Sequence, residues 1–294
     1  MCFKERPTTP SFAPDNRKPA TDDETRNLAP RHTYVTSMRT LASLILLFTA
    51  ATASADLFGG DCSYSEKRSV ASPAAGVTRI VVIGRAGTLH IGGRRAVSQV
   101  SASGTACSSS RDGLNETKLV LSRSGSELRI EAVTPEHEFF GSSSATLDFD
   151  VVVPDSIPLE VEDGSGDMTI ENVGPAEVTD GSGDMTIRNV SGNLSVHDGS
   201  GDMKLENIAG DVRITDGSGE IEVQGAGSVD VGNDGSGSVG IRNVKRDVHI
   251  GNKGSGSVEV SDVGGNFRVG NKGGGSVRWD RVRGQVDVPE RFRR

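Results

Sequence analysis

The feature that most constrains this chain is a Gly-Ser-Gly triplet recurring at nearly fixed intervals. It begins at Gly164, Gly181, Gly199, Gly217, Gly235 and Gly254, and Gly-Gly-Gly takes its place at Gly273. The intervals are 17, 18, 18, 18, 19 and 19 residues. An alternating apolar stretch precedes each triplet, as in Leu194-x-Val196 and Val212-x-Ile214. Another follows it, as in Met185-x-Ile187 and Met203-x-Leu205. Three positions on stands one more apolar residue: Val173, Val190, Ile208, Ala226, Val244, Val263 or Val282. Period-two alternation turns one face of each strand inward and one outward. A unit this short cannot bury its apolar face alone and gains a core only by stacking on its neighbours.

Three of the five methionines, Met168, Met185 and Met203, fall on one equivalent position. That is expected if each coil lies ~4.8 Å above its homologue. About five aliphatics per coil would then be buried, each contributing roughly 1.5–3 kcal/mol. The predicted fold is all-β: a parallel β-solenoid (β-helix) of about 18-residue coils. Seven coils fill residues 159–288, each bent into three short sides. An aromatic content of only 4% suits such a narrow core of small aliphatics better than a thick globular one. Residues 56–158 carry strand-like runs at 79–83, 88–91, 118–121, 127–130 and 147–153, separated by longer loops. They are predicted to form irregular coils of the same kind, capping an end that would otherwise expose strand edges.

Residues 38–55 read MRTLASLILLFTAATASA: one basic residue, an apolar run over 41–49, and the small-residue end Ala53-Ser54-Ala55. This is the pattern of a secretory signal peptide cleaved before Asp56. The apolar run is too short for a hydrocarbon core of about 30 Å, so the mature chain is predicted to have no transmembrane span. Residues 1–37, polar and with five prolines, read either as a disordered leader or as sequence ahead of a true start at Met38. The expected location is periplasmic or secreted. Cleavage leaves two cysteines, Cys62 and Cys107, which in an oxidising compartment are predicted to pair. Such a bridge stabilises by about 4 kcal/mol on the chain-entropy model. The formal net charge of −8 argues against a nucleic-acid partner.

Two acidic ladders flank the triplets. Asp163, Asp180, Asp198, Asp216 and Asp234 precede them; Asp167, Asp184, Asp202 and Glu220 follow. Carboxylates around glycine turns suit Ca²⁺, which takes oxygen ligands. Here, however, the second carboxylate directly follows the glycine, unlike the calcium-binding nonapeptide. The competing reading is structural, with the first aspartate capping its own turn. The candidate Ca²⁺ set is Asp163, Asp167, Asp180, Asp184, Asp198, Asp202, Asp216 and Glu220. Asn172, Asn189, Asn207 and Asn243 form a further ladder, interrupted at Gly225 and replaced by Asp262, expected to satisfy turn amides. The turn position then changes sign, to Lys253 and Lys272, and arginines accumulate up to a basic tail at 289–294. Lys253, Lys272, Arg278 and Arg281 are the candidate anion-binding residues, against the plainer reading of a solvated end cap. No catalytic residues are predicted: His90, His137, His197 and His249 are scattered. Val-Gly-Asn at Val231 and Val269, and Ile-Gly-Asn at Ile250, echo the hexapeptide repeat of acyltransferases, whose cytosolic donors do not suit an exported chain.

The coil pattern D-G-S-G-D-M-T-I-x-N-V, the irregular strands before it and the strand end at Val151–Pro154 resemble the "putative adhesin" family of bacterial β-solenoid domains, a domain of unknown function with β-strand repeats. The resemblance covers about 78–288. It implies a parallel β-solenoid in the envelope or outside the cell, and supplies no catalytic residues. The expected function is an exported, non-enzymatic, adhesin-like binding module or envelope scaffold. Its expected partner is an envelope or extracellular polymer or protein, or a second copy of itself. The alternatives are a self-assembling structural solenoid and a polysaccharide-active β-helix enzyme, a class that uses larger coils with acidic and basic residues in long side loops.

Overall fold

A computed structural model describes residues 62–135 and 144–292. Residues 1–55, over which a leader and a signal peptide are expected, His137 and the last two residues of the basic tail lie outside the described residues. The chain begins with β1 (Tyr64–Pro73), β2 (Arg79–Ile83), β3 (Leu89–Arg94), β4 (Gln99–Ser108), the short helix α1 (Arg111–Glu116), β5 (Lys118–Ser124), β6 (Glu127–Val133) and β7 (Ala145–Pro154). The repeats follow, each giving one strand before its glycine triplet and one after. They are β8 (Leu159–Asp163) and β9 (Met168–Glu171), β10 (Ala176–Asp180) and β11 (Met185–Val190), β12 (Leu194–Asp198) and β13 (Met203–Ile208), and β14 (Val212–Ser218) and β15 (Ile221–Ala226). Next come β16 (Val229–Ser236) and β17 (Val239–Val244), β18 (Val248–Lys253) and β19 (Val258–Val263), β20 (Phe267–Lys272) and β21 (Val277–Val282), then the two-residue β22 (Val286–Asp287).

The strands form two eleven-stranded sheets, one ordered β1-β4-β7-β3-β9-β11-β13-β15-β17-β19-β21 and the other β22-β20-β18-β16-β14-β12-β10-β8-β2-β6-β5. Pairing among the repeats is parallel and homologue on homologue, as in Met168↔Met185↔Met203 and Val178↔Val196↔Ile214. The inward residues belong to one continuous apolar core. The coils are therefore stacked as the repeat predicts, but each has two sheet-forming sides rather than three. The third apolar residue continues the second strand: Val190 pairs with Ile208 beyond Asn189, whose φ is +58°. One left-handed residue bends the strand without breaking its pairing. Asn172, Asn189, Asn207, Asn243 and Asp262 all hold this conformation, as does Gly225. Asparagine, aspartate and glycine tolerate it best, so the gap in the asparagine ladder is no gap in geometry. The amides also stack, Asn189 Nδ2 donating to Asn172 Oδ1 at 3.0 Å and Asn207 Nδ2 to Asn189 Oδ1 at 3.2 Å.

The 19-residue intervals have a local cause, a bulge that adds one residue to the coil; in the interval from Gly217 to Gly235 it is offset by a corner one residue shorter, at Gly227 and Ser228. Between Ile214/Thr215 and Val231/Asn233 the register shifts by one residue, making Gly232 a bulge. Gly251 and Gly270 repeat it, and Asn233, Asn252 and Asn271 beside them form a second amide ladder at 2.8 and 2.9 Å. The Gly-Asn echo of acyltransferase repeats is thus a bulge and its ladder.

The N-terminal part differs from a run of irregular coils. β2 and β3 form a true coil against β8 and β9, but β6 and β7 form the next one outward, parallel to β2 and β3. Chain order and stacking order therefore diverge. Beyond them the pairing turns antiparallel: β5 covers β6, β4 covers β7, and β1 covers β4. The stack thus ends on the antiparallel strands β1 and β5, the outermost strands of the two sheets at this end. At the other end Val288 is buried and Phe292 packs on the core.

Cys62 and Cys107 form a disulfide with Cα atoms 5.4 Å apart, tying the start of β1 to the end of β4. Reduction should lower the melting temperature and release two thiols, with protection lost first in β1; a loop of this size is worth about 4 kcal/mol. Native protein with both thiols already reactive would contradict the bridge.

Candidate functional site

The strand β12 carries Leu194, Val196 and Asp198 at alternate positions, and all three point inward. Asp163, Asp180, Asp216 and Asp234 do the same on their own strands, and none of the five is more than 8% exposed. They pair in register, Asp163↔Asp180↔Asp198↔Asp216↔Asp234, and the column continues through Lys253 to Lys272. This corrects two expectations. The first aspartates are not solvent-facing turn caps, and Lys253 and Lys272, each 2% exposed, do not lie on the surface where they could present charge to an anion. The inward parity of the strand carries them into the interior.

Burial of like charges in one line demands neutralisation. At the Lys253 end it is visible. Lys253 Nζ lies 3.0 Å from Asp234 Oδ1 and 2.9 Å from Oδ2, both side chains fully enclosed, and donates to Ser255 O at 2.5 Å. Lys272 Nζ donates to Gly256 O and Gly274 O, each at 2.5 Å. Here the turn offers carbonyls to an ammonium. Around the aspartates the turn offers amides: those of Gly164 beside Asp163, of Gly181 and Ser182 beside Asp180, and of Gly199 and Ser200 beside Asp198 hold the carboxyls down somewhat. These amides do not reach hydrogen-bonding geometry, and both oxygens of Asp163, Asp180, Asp198 and Asp216 lack a partner. Burial dominates and pushes Asp163 up to about 7 and Asp180 to about 6. It also pushes Asp216 to about 7, helped by the charges of Asp198 and Asp234. Asp198 and Asp234 are raised too, chiefly by burial.

The unfolded carboxyls ionise near 3.8, while the native ones keep their protons to about 6–7. In that window the native state binds more protons, so stability is full below about pH 4 and declines as pH rises to about 7. Each pH unit over which one carboxyl keeps its proton changes stability by about 1.4 kcal/mol. Asp211, held low chiefly by Ser228 Oγ, and Asp262, held low by Arg281, act in the opposite sense but only below their ordinary range. Denaturant melts between about pH 4 and 8 should show the decline; a rise over that interval would contradict the burial of the column.

The second acidic ladder lies outside. Asp167 Oδ1 accepts from the amide of Asp184 at 3.3 Å, Asp184 Oδ1 from that of Asp202 at 3.0 Å, and Asp202 Oδ1 from that of Glu220 at 2.9 Å. Asn193, Asp211, Asp247 and Asn266 cap the opposite corner the same way. Each carboxylate thus closes the backbone of the next coil, a role that a repeat of 17–19 residues in sequence signals only once coils are stacked. The glycine turn separates the two acidic ladders, one inside and one outside. Among the described residues, no group of three or more histidine, cysteine, aspartate or glutamate side chains is placed to hold a metal ion, so the Ca²⁺ set is not brought together.

Arg278 and Arg281 are exposed but engaged. Arg278 Nη1 lies 2.9 Å from Glu259 Oε1, and Arg281 holds Asp262 through two bonds of 2.5 and 2.8 Å. Arg268 pairs with Asp287 at 3.0 Å. The basic end is therefore largely neutralised coil to coil. On the outer face of the sheet containing β9–β21 the same pattern continues, with Arg188 on Glu171, Lys204 beside Glu206, and Arg242 on Glu222. His90 pairs with Asp150 and His249 with Asp230, on different sheets.

A solenoid of two sheets, parallel through the repeats and antiparallel at the N-terminal end, defines the structural class. The sequence profile of the family described as Toastrack DUF4097 matches residues 99–288, about two thirds of the chain, and the chain belongs to that family. Among solved structures, it is similar to a putative adhesin from Bacteroides fragilis at 15% identity, covering 76% of this chain and 96% of that one with a TM-score of 0.48. It is similar to a putative lipid binding protein from Parabacteroides distasonis at 15% identity, covering 74% and 97% with a TM-score of 0.42. A putative cell adhesion protein from Clostridium sporogenes matches at 11% identity, covering 76% and 100% with a TM-score of 0.36. No curated protein matches. No helix among the described residues is long and apolar enough to cross a membrane.

Proposed function

We propose that this chain is an exported, non-enzymatic binding module of the adhesin type, which engages an envelope or extracellular polymer through the outer face of a sheet. The observation that supports this most is the register of outward side chains. Thr169, Thr186, Lys204, Glu222, Gly240, Glu259 and Arg278 form one straight column, and Glu171, Arg188, Glu206, Gln224, Arg242, Ser261 and Asp280 another beside it. A surface repeating every ~4.8 Å suits a repetitive ligand. The inward residues are committed to stacking, which leaves the outer columns for recognition. Head-to-tail self-assembly is less favoured, because the N-terminal end presents antiparallel strands and no parallel coil for the next copy to continue.

The test is co-sedimentation of the chain, processed at Asp56, with purified sacculi and with lipopolysaccharide. Saturable binding that weakens when Arg188, Lys204 and Arg242 are changed to Gln supports the reading; equal binding by the variant, or none by either form, overturns it. Fractionation with N-terminal sequencing tests export, and Asp56 as the first residue is the expected result.

A further inference from the structure

The buried column has chemistry that stacking alone does not require. Alternating apolar residues would fill the same inward position without cost. Instead five aspartates and two lysines lie in line, and these are the only buried ionisable side chains among the described residues. The charged groups around the carboxyls are few. Along the column stand Lys253 and Lys272. Across the glycine turn lie Asp167, Asp184, Asp202 and Glu220, exposed, the three aspartates turned onto the amides of the next coil. The strands that follow the glycine turns begin with Met168, Met185, Met203 and Ile221, which are buried and carry no charge. Asp163 ends the stack against Gly84, where a Cβ would run into its carboxylate. Only Asp234 has a cationic partner. The donors nearest the carboxyls of Asp163, Asp180, Asp198 and Asp216 are the turn amides beside them, and these leave both oxygens of each without a hydrogen bond; a proton on the carboxyl itself supplies a donor.

We propose that the stacked carboxyls of Asp163, Asp180, Asp198 and Asp216 form a proton-holding column that works as a pH-sensitive latch on the Gly-Ser-Gly edge of the solenoid. Protonated carboxyls donate O–H to the next carboxyl along the stack and close the edge. Ionised carboxyls repel one another in a low-dielectric interior and loosen it. The coils filled by Lys253 and Lys272 stay shut, because their turns already hold an ammonium through carbonyl oxygens. The edge that opens carries the outer acidic ladder, so its geometry changes with the pH around the protein.

Hydrogen–deuterium exchange of the full chain, corrected for intrinsic rates, tests this at about pH 5 and about pH 8. Protection at residues 163–167, 180–184, 198–202 and 216–220 should fall at least about tenfold with rising pH, the equivalent of about 1.4 kcal/mol, while protection at residues 253–257 and 272–276 holds. Asp198→Asn, which supplies a permanent donor of the same shape, should reduce the change at its own and adjacent coils. Should that variant fail to fold, infrared spectra of the wild type decide: carboxylic-acid C=O absorption present at about pH 5 and lost by about pH 8 is expected. Protection independent of pH, uniform loss including the lysine coils, or no carboxylic-acid band at about pH 5 would overturn the latch. So would restoration of protection at about pH 8 by Ca²⁺ or Na⁺, since a bound cation would then be the neutralising group.

Discussion

Ile187→Asp should destabilise the protein by about 4 kcal/mol or more, whereas Thr186→Asp should change stability by less than about 0.5 kcal/mol. The two residues are neighbours in sequence and opposites in environment. Ile187 is fully buried and stacks between Ile170 and Leu205. A carboxylate there meets no cation and no donor, and it removes apolar contact from the coils on both sides. Thr186 sits in the outer column, beside Thr169 and Lys204. For a domain of this size the first variant should melt roughly 10 °C lower or more. Circular-dichroism melts of both variants check this; equal losses would mean that inward and outward faces are misassigned.

Gly201→Val should be at least as severe. Gly201 has a φ of +142°, a region that only glycine enters freely. It also packs directly over its homologue: an added Cβ would fall far inside contact distance of Gly183 O. Backbone cannot yield there without parting two coils, so strain of about 1–3 kcal/mol is joined by a lost coil–coil contact. Gly274→Val is the control. No atom lies within 4 Å of its would-be Cβ, and its φ is not in the positive region. The expected result is a chain that aggregates or melts far lower for the first and a near-native melt for the second. Comparable melts would remove the steric explanation of the triplet.

Much of this architecture is legible in the repeat. Alternation of Leu194, Val196 and their homologues places the core, and the recurring methionines disclose the stacking. The same alternation, carried two residues further, also puts Asp198 inside. The Asp-Gly pair reads as a turn in isolation, and aspartate is rarely buried, so the turn reading prevails over the parity. Lys253 is harder still, since the bulge at Gly251 must be recognised before its inward direction follows. The left-handed conformation shared by Asn172, Gly225 and Asp262 is visible in composition, because these are the residue types that tolerate it. The N-terminal crossing of β6 and β7 outside β2 and β3 has no local signal. It depends on long-range pairing across residues 79–163, which no spacing encodes.

The proposal of a repetitive binding surface, acting without chemistry, is tested most directly by binding to size-graded glycan fragments of one purified envelope polysaccharide. Affinity should rise with fragment length until the fragment spans seven coils, about 34 Å at ~4.8 Å per coil, and then level off, with the fragments recovered intact. Affinity independent of length would point to a single pocket, and shortened fragments would reveal an enzyme; either result would contradict the proposed function.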